Sequence, residues 1–178
     1  MQESVVLLQS PAVTRLAGLD VHLLRFARTR GHTPGRERVV STYSQLGEHA
    51  ACWLVLGGLS GLAAGPGERR RRWWRGAGIV AGAYTINYLI KVSVRRPRPE
   101  LAGLPPLSPV FSGLSFPSAH ATTSFAAARA YAGLAPAPAL YAAAFAFALS
   151  RPYLGVHYPS DVAAGAVLGT ALATGWPR

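Results

Sequence analysis

Apolar and charged residues are sorted into blocks along this chain rather than mixed residue by residue. Charge-free stretches cover residues 50–67, 76–90, 130–150 and 162–177, and all seven acidic residues fall outside them. A bilayer sorts charge in this way, because an ionised side chain is costly in hydrocarbon. The stretches are rich in Ala and Gly, which suits close helix packing in membranes. Several are shorter than the roughly 20 apolar residues needed to cross a hydrocarbon core of about 30 Å, so hydropathy alone leaves open a soluble, Ala-rich helical bundle. The blocks predict five crossings, near residues 48–65, 73–94, 118–134, 138–151 and 159–176. Prolines 66, 97, 117, 136, 152 and 159 lie in or beside the connections, where a helix stops or starts without losing a backbone bond.

The first third follows another rhythm. Val13, Leu16, Leu19, Leu23 and Phe26 recur at helical spacing, with Arg15, Asp20, Arg25 and Arg28 around them. This predicts an amphipathic helix, lying on a membrane surface or packed on the rest of the chain. The apolar run at residues 5–8 is too short for a signal-peptide core, so no cleaved leader is expected. Residues 29–38 carry Gly, Pro and three arginines and read as a solvated connection. One domain over residues 1–178 is expected: an amphipathic segment, 1–45, and a helical bundle, 46–176. The fold class is all-α, a polytopic membrane helical bundle with an interfacial N-terminal helix.

Composition sharpens this picture in two places. The net charge of +11 suits nucleic acid in principle, but the arginines occur in short runs at the ends of apolar segments. Anionic lipid head groups explain that placement better, so membrane lipids and not nucleic acid are the expected partners. Of the 18 basic residues, Lys91 is the only lysine. Cys52 is alone, so there is no disulfide framework.

Three clusters carry chemistry. Alternating the crossings puts the long proline-rich loop of residues 95–117, the loop at 152–158 and the N-terminal segment on one face. The first cluster, from Lys91 to Arg98 and Pro99, offers cations that can clamp phosphate oxygens, or simply flank a membrane interface. In the second, Pro117 and Ser118 read as a helix start, so the N–H groups of Ala119 and His120 are placed to face an anion. Alone, Ser118 is as well explained as an N-cap and His120 as a polar helix end. In the third, Ser150 and Arg151 precede His157, and Asp161 follows it by four residues. That spacing can set a carboxylate beside one ring nitrogen and leave the other free to attack; an interfacial His beside a helix-start Asp reads the same.

The order and spacing of the clusters resemble the type 2 phosphatidic acid phosphatase family. Its pattern is Lys, six residues, Arg-Pro; then Pro-Ser-x-His; then Ser-Arg, five residues, His, three residues, Asp. Lys91, Arg98, Pro99, Pro117, Ser118, His120, Ser150, Arg151, His157 and Asp161 match it. Ala119 stands where the family usually has Gly. The resemblance runs from about residue 46 to 175 and is nearest to a small actinobacterial branch, through residues 47–49, 69–72, 115–122 and 154–161.

The resemblance implies a multi-pass lipid phosphatase of the bacterial plasma (inner) membrane. It makes His157 the nucleophile, Asp161 its orienting partner and His120 the general acid, with Lys91, Arg98, Ser118, Ala119 and Arg151 on the phosphate. Glu48 and His49 are candidate head-group contacts, or a helix-start pair. Tyr84 and Asn87 read as interhelical bonding partners. No metal or other cofactor is expected. The substrate candidates are a polyprenyl-phosphoryl ribose phosphate, a polyprenyl diphosphate, phosphatidic acid and phosphatidylglycerol phosphate. A vanadium-dependent haloperoxidase and a non-catalytic lipid-phosphate-binding protein are the competing classes. Basic residues flank both faces, so the positive-inside rule selects neither orientation.

Overall fold

Charge-free blocks bounded by proline should fold as separate helices, and they do. The computed structural model describes residues 11–176, so the apolar run at residues 5–8 lies outside it. The helices are α1 (Pro11–Thr29), α2 (Pro34–Leu46), α3 (Ala51–Ala63), α4 (Glu68–Val94), α5 (Ala119–Tyr131), α6 (Ala137–Tyr153) and α7 (Pro159–Gly175). No strand occurs among the described residues. The five helices from α3 to α7 fall near the five segments expected as crossings. Among the described residues only α4 is both long and apolar enough to cross a membrane by itself.

The N-terminal region departs from expectation in two ways. The segment 29–38 is not a solvated connection throughout: α2 begins at Pro34, and the Thr33 hydroxyl caps it by accepting the Arg36 N–H at 3.3 Å. Proline at the first helical position has the right φ and no N–H to leave unpaired, which turns an apparent breaker into a helix start. The helix expected from Glu48 is also interrupted. Glu48–Ala50 form a 3₁₀ turn, with His49 (φ 52°) and Ala50 (φ 61°) left-handed, and α3 starts only at Ala51.

α1 is docked with its usual polarity reversed. Asp20, Leu24 and Arg28 are buried against the bundle, while Leu16, Leu19, Leu23 and Phe26 face outward. The helix therefore packs on the protein and presents an apolar stripe outward.

α5 is the axis around which the site is built. Its residues 120–128 and Tyr131 are all buried, between α4, α6 and α7. α7 lies backbone to backbone on it: a Cβ on Gly165 would sit 2.6 Å from the Ser118 carbonyl oxygen, and one on Gly169 2.0 Å from that of Thr122. Contacts with main chain cannot be relieved by a rotamer change. Gly169→Ala should therefore force the two helices apart at a cost of about 1–3 kcal/mol, read as a thermal midpoint lowered by several degrees in detergent. An unchanged midpoint would refute the close approach.

Candidate active site

α4 delivers Lys91 in its last turn, and the chain then reverses at Arg95, which is left-handed at φ 54°. The returning loop is pinned by Arg98 N–H to the Gly113 carbonyl (3.1 Å) and Ser115 N–H to that of Arg96 (2.8 Å). Lys91 Nζ donates to the carbonyls of Leu114 and Ser115 at 3.2 and 3.1 Å. Arg98 donates through Nε to Ser112 O (2.7 Å) and through Nη1 to Val156 O (2.7 Å). The first cluster thus ties the long loop to the segment that carries His157.

That histidine is buried, with its two nitrogens in different surroundings. Nε2 lies 3.2 Å from Arg98 Nη1. Nδ1 makes no hydrogen bond, but Asp161 Oδ2 is 3.5 Å away, an ion-pair distance. Burial, with Arg151, Arg98 and Lys91 adding repulsion, holds the imidazole well below its ordinary value of 6.5. A neutral ring keeps the lone pair a nucleophile needs.

His120, in the first turn of α5, presents Nε2 at 2.9 Å to the main-chain oxygen of Ser44 on α2. A carbonyl only accepts, so Nε2 carries a proton and Nδ1 is the nitrogen available for exchange. The Ser44 hydroxyl accepts from Arg151 Nη1. Arg151, near the end of α6, is almost fully buried, and Glu48 Oε1 lies 3.9 Å from its Nη2 and 3.8 Å from His120 Nε2. One carboxylate therefore faces both the Arg151 guanidinium and the His120 ring.

These groups enclose a pocket of ≈ 280 Å³. Of the ten residues singled out in the sequence, Glu48, His49, Lys91, Arg98, Ala119, His120, Arg151 and His157 line it. Asp161 and Ser118 are fully buried and do not. Ser118 holds the N-cap position of α5 but does not cap it with its side chain: its Oγ has no hydrogen-bond partner, and its N–H donates to the Asp161 carbonyl at 3.0 Å. Ala119 and His120 open α5, so their N–H groups have no acceptor within the helix. His49 shares a 2.7 Å hydrogen bond with Tyr84 and packs near Phe111. Asn87 joins α4 to α5 through Pro117 O and Thr122 Oγ1, as its place in a crossing suggested, and also lines the pocket. Among the described residues no group of His, Cys, Asp and Glu could hold a metal ion.

Three residues of the site were not singled out from the sequence. Ser44 lies before the expected start of the bundle; Arg96 and Asp20 join Asp161 to α1. Arg96 was legible only as part of a basic run. The signal for Asp20 was its place as the one acid on a helix otherwise flanked by arginines.

The pattern Lys91…Arg98-Pro, Pro-Ser118-x-His120, Arg151…His157…Asp161 thus forms one pocket, and residues 72–178 match the PAP2 superfamily. The chain belongs to the PAP2 superfamily. It is a phosphoric ester hydrolase of that superfamily, as the order of its motifs implied. Decaprenylphosphoryl-5-phosphoribose phosphatase of Mycobacterium tuberculosis is 43% identical over 140 residues, which cover 78% of this chain and 77% of that protein. The protein of the same name from Mycolicibacterium smegmatis is 40% identical over 150 residues, 83% of this chain and 81% of its own length. Two solved structures share the fold. Aquifex aeolicus LpxE has a TM-score of 0.67 at 21% identity, over 88% of this chain and 93% of that one. The transmembrane PAP2-type phosphatidylglycerolphosphate phosphatase of Bacillus subtilis has a TM-score of 0.69 at 22% identity, over 95% of this chain and 86% of that one.

Proposed function

We propose that this protein is a multi-pass membrane phosphatase that removes the terminal phosphate of a polyprenyl-phosphoryl ribose phosphate by way of a phosphohistidine. The observation that carries the chemistry is the single pocket holding two histidines and three cations. The substrate reading rests on the relatives of that name at 40–43% identity. The five helices α3 to α7 and the outward apolar stripe of α1 support membrane embedding.

In this reading Lys91, Arg98 and Arg151 gather the phosphoryl oxygens, with the free N–H groups at the start of α5 completing the cradle. His157 Nε2 attacks phosphorus in line as the bond to the ester oxygen breaks. Asp161 stabilises the charge that develops on the ring. His120, which takes up a proton at Nδ1 as the phosphate dianion enters beside it, gives that proton to the departing alkoxide. Now neutral at Nδ1, it takes a proton from the water that attacks the phosphohistidine, releasing phosphate and restoring His157.

The test is phosphate release by the purified protein from four lipids: a polyprenyl-phosphoryl 5-phosphoribose, a polyprenyl diphosphate, phosphatidic acid and phosphatidylglycerol phosphate. The first should show the highest kcat/KM, by about tenfold or more, and turnover should persist in EDTA. Faster turnover of another lipid would overturn the substrate; no release from any would overturn the activity.

A further inference from the structure

Asp20 lies on α1, outside the stretch that matches the superfamily, yet its carboxylate is buried at one edge of the catalytic groups. Oδ1 accepts the Ser160 N–H at 2.9 Å, and Oδ2 accepts Arg96 Nη2 at 2.8 Å together with the Ser160 hydroxyl. The other arm of the guanidinium, Nη1, donates to Asp161 Oδ1 at 2.8 Å and to Ser160 Oγ at 2.7 Å. The Arg96 guanidinium also stacks over the Tyr158 ring, 4.1 Å from its centroid. Asp161 spends its second oxygen on the Tyr158 N–H at 2.9 Å and on facing His157. A chain of ion pairs therefore runs from Asp20 through Arg96 to Asp161, whose Oδ2 faces the neutral ring of His157 at 3.5 Å.

Attachment of α1 has other contacts besides this charge. Leu24 is fully buried, and Arg28 Nη2 donates to the Pro105 carbonyl at 2.8 Å, so the helix is also held on the C-terminal side of Asp20. Burying an ionised carboxylate is expensive compared with an apolar residue of similar size, and the return is orientation. Each guanidinium arm is committed to one carboxylate, and the rigid fork transmits the position of one to the other. Without Asp20, Arg96, whose side chain is 28% exposed, is held from one side only.

We propose that Asp20 is a positioning residue for the reaction: it holds Arg96 against Asp161 so that the carboxylate fixes the ring of His157. The proposal rests on the reading of His157 as nucleophile. Partners that orient metal-bound histidines are worth about 10- to 100-fold in activity, and a carboxylate acting one group further out is expected at the lower end of that range.

The test compares the intact chain with Asp20→Asn, Arg96→Gln and the double variant, using polyprenyl-phosphoryl 5-phosphoribose and rapid-quench trapping of the phosphoenzyme. Asp20→Asn should lower kcat and the rate of phosphoenzyme formation by about tenfold or more, with KM within about twofold. The double variant should lose little beyond the worse single one, because both act through one chain. Ser160→Ala, which removes the hydroxyl shared by Asp20 and Arg96 and keeps the backbone contact, should lower kcat in the same direction and covers the case of an unfolded Asp20→Asn. Wild-type kcat in Asp20→Asn or Ser160→Ala, or losses that multiply in the double variant, would overturn the proposal. Failure of the intact chain to form a phosphoenzyme would instead overturn the nucleophile.

Discussion

Phosphate release by a His157→Ala variant falls to background, a loss on the order of 10⁴-fold or more. The expectation follows from geometry and not only from the motif. His157 Nε2 faces Arg98 at 3.2 Å, beside the cations that would gather a phosphoryl group. The other ring in reach is less free: His120 Nε2 is engaged by the Ser44 carbonyl at 2.9 Å. Alanine also removes a neutral group from among cations, so the variant should still bind phosphate and vanadate while failing to turn over. Two measurements decide the matter: the steady-state rate on the purified variant and trapping of acid-labile phosphoenzyme. Substantial turnover, or a phosphoenzyme at normal yield, would remove His157 as nucleophile.

Arg151→Lys should be the next most damaging change, lowering kcat/KM by about 10²-fold. The guanidinium is almost fully buried and distributes its donors, Nη1 to the Ser44 hydroxyl and Nη2 toward Glu48 at 3.9 Å. Lysine offers a point charge without the planar fork, so it cannot meet Ser44, Glu48 and a phosphate oxygen together. Because these contacts gain strength as charge spreads over the equatorial oxygens, the loss should fall on kcat and on vanadate inhibition in parallel. A variant whose KM alone rises would show that Arg151 binds the ground state and does not act in the transition state. Arg151→Ala should be worse, since it strips the partner from Glu48 inside the site.

The parts of the site legible in the sequence are those in which several chemical residues sit at fixed spacing in one short segment. Lys91 and Arg98, Ser118 to His120, and Arg151 to Asp161 are local constellations, and the helices bring them to one pocket. Ser44 and Asp20 were not legible because each is a lone contributor from a helix that carries none of the three clusters. A contact of that kind depends on how two helices cross, which periodicity does not encode. The break at His49 and Ala50 was hidden for another reason: non-glycine residues in the left-handed region are rare, so nothing in Glu-His-Ala announces them. α2 was misread because a Thr-Pro-Gly start looks like a turn until the run that follows is seen to hold a helix. Five helices at the charge-poor blocks were legible throughout, since charge exclusion acts on whole segments and tolerates errors of a few residues.

The hydrogen bond between Asp20 and the Ser160 N–H joins positions 140 residues apart. During synthesis the first helix therefore leaves the ribosome long before its partner has been made, and a nascent chain that ends short of residue 160 can dock that helix through Pro105 but lacks the Asp20 contact. The alignment that Asp20 gives the pocket therefore forms only after residue 160 has been made.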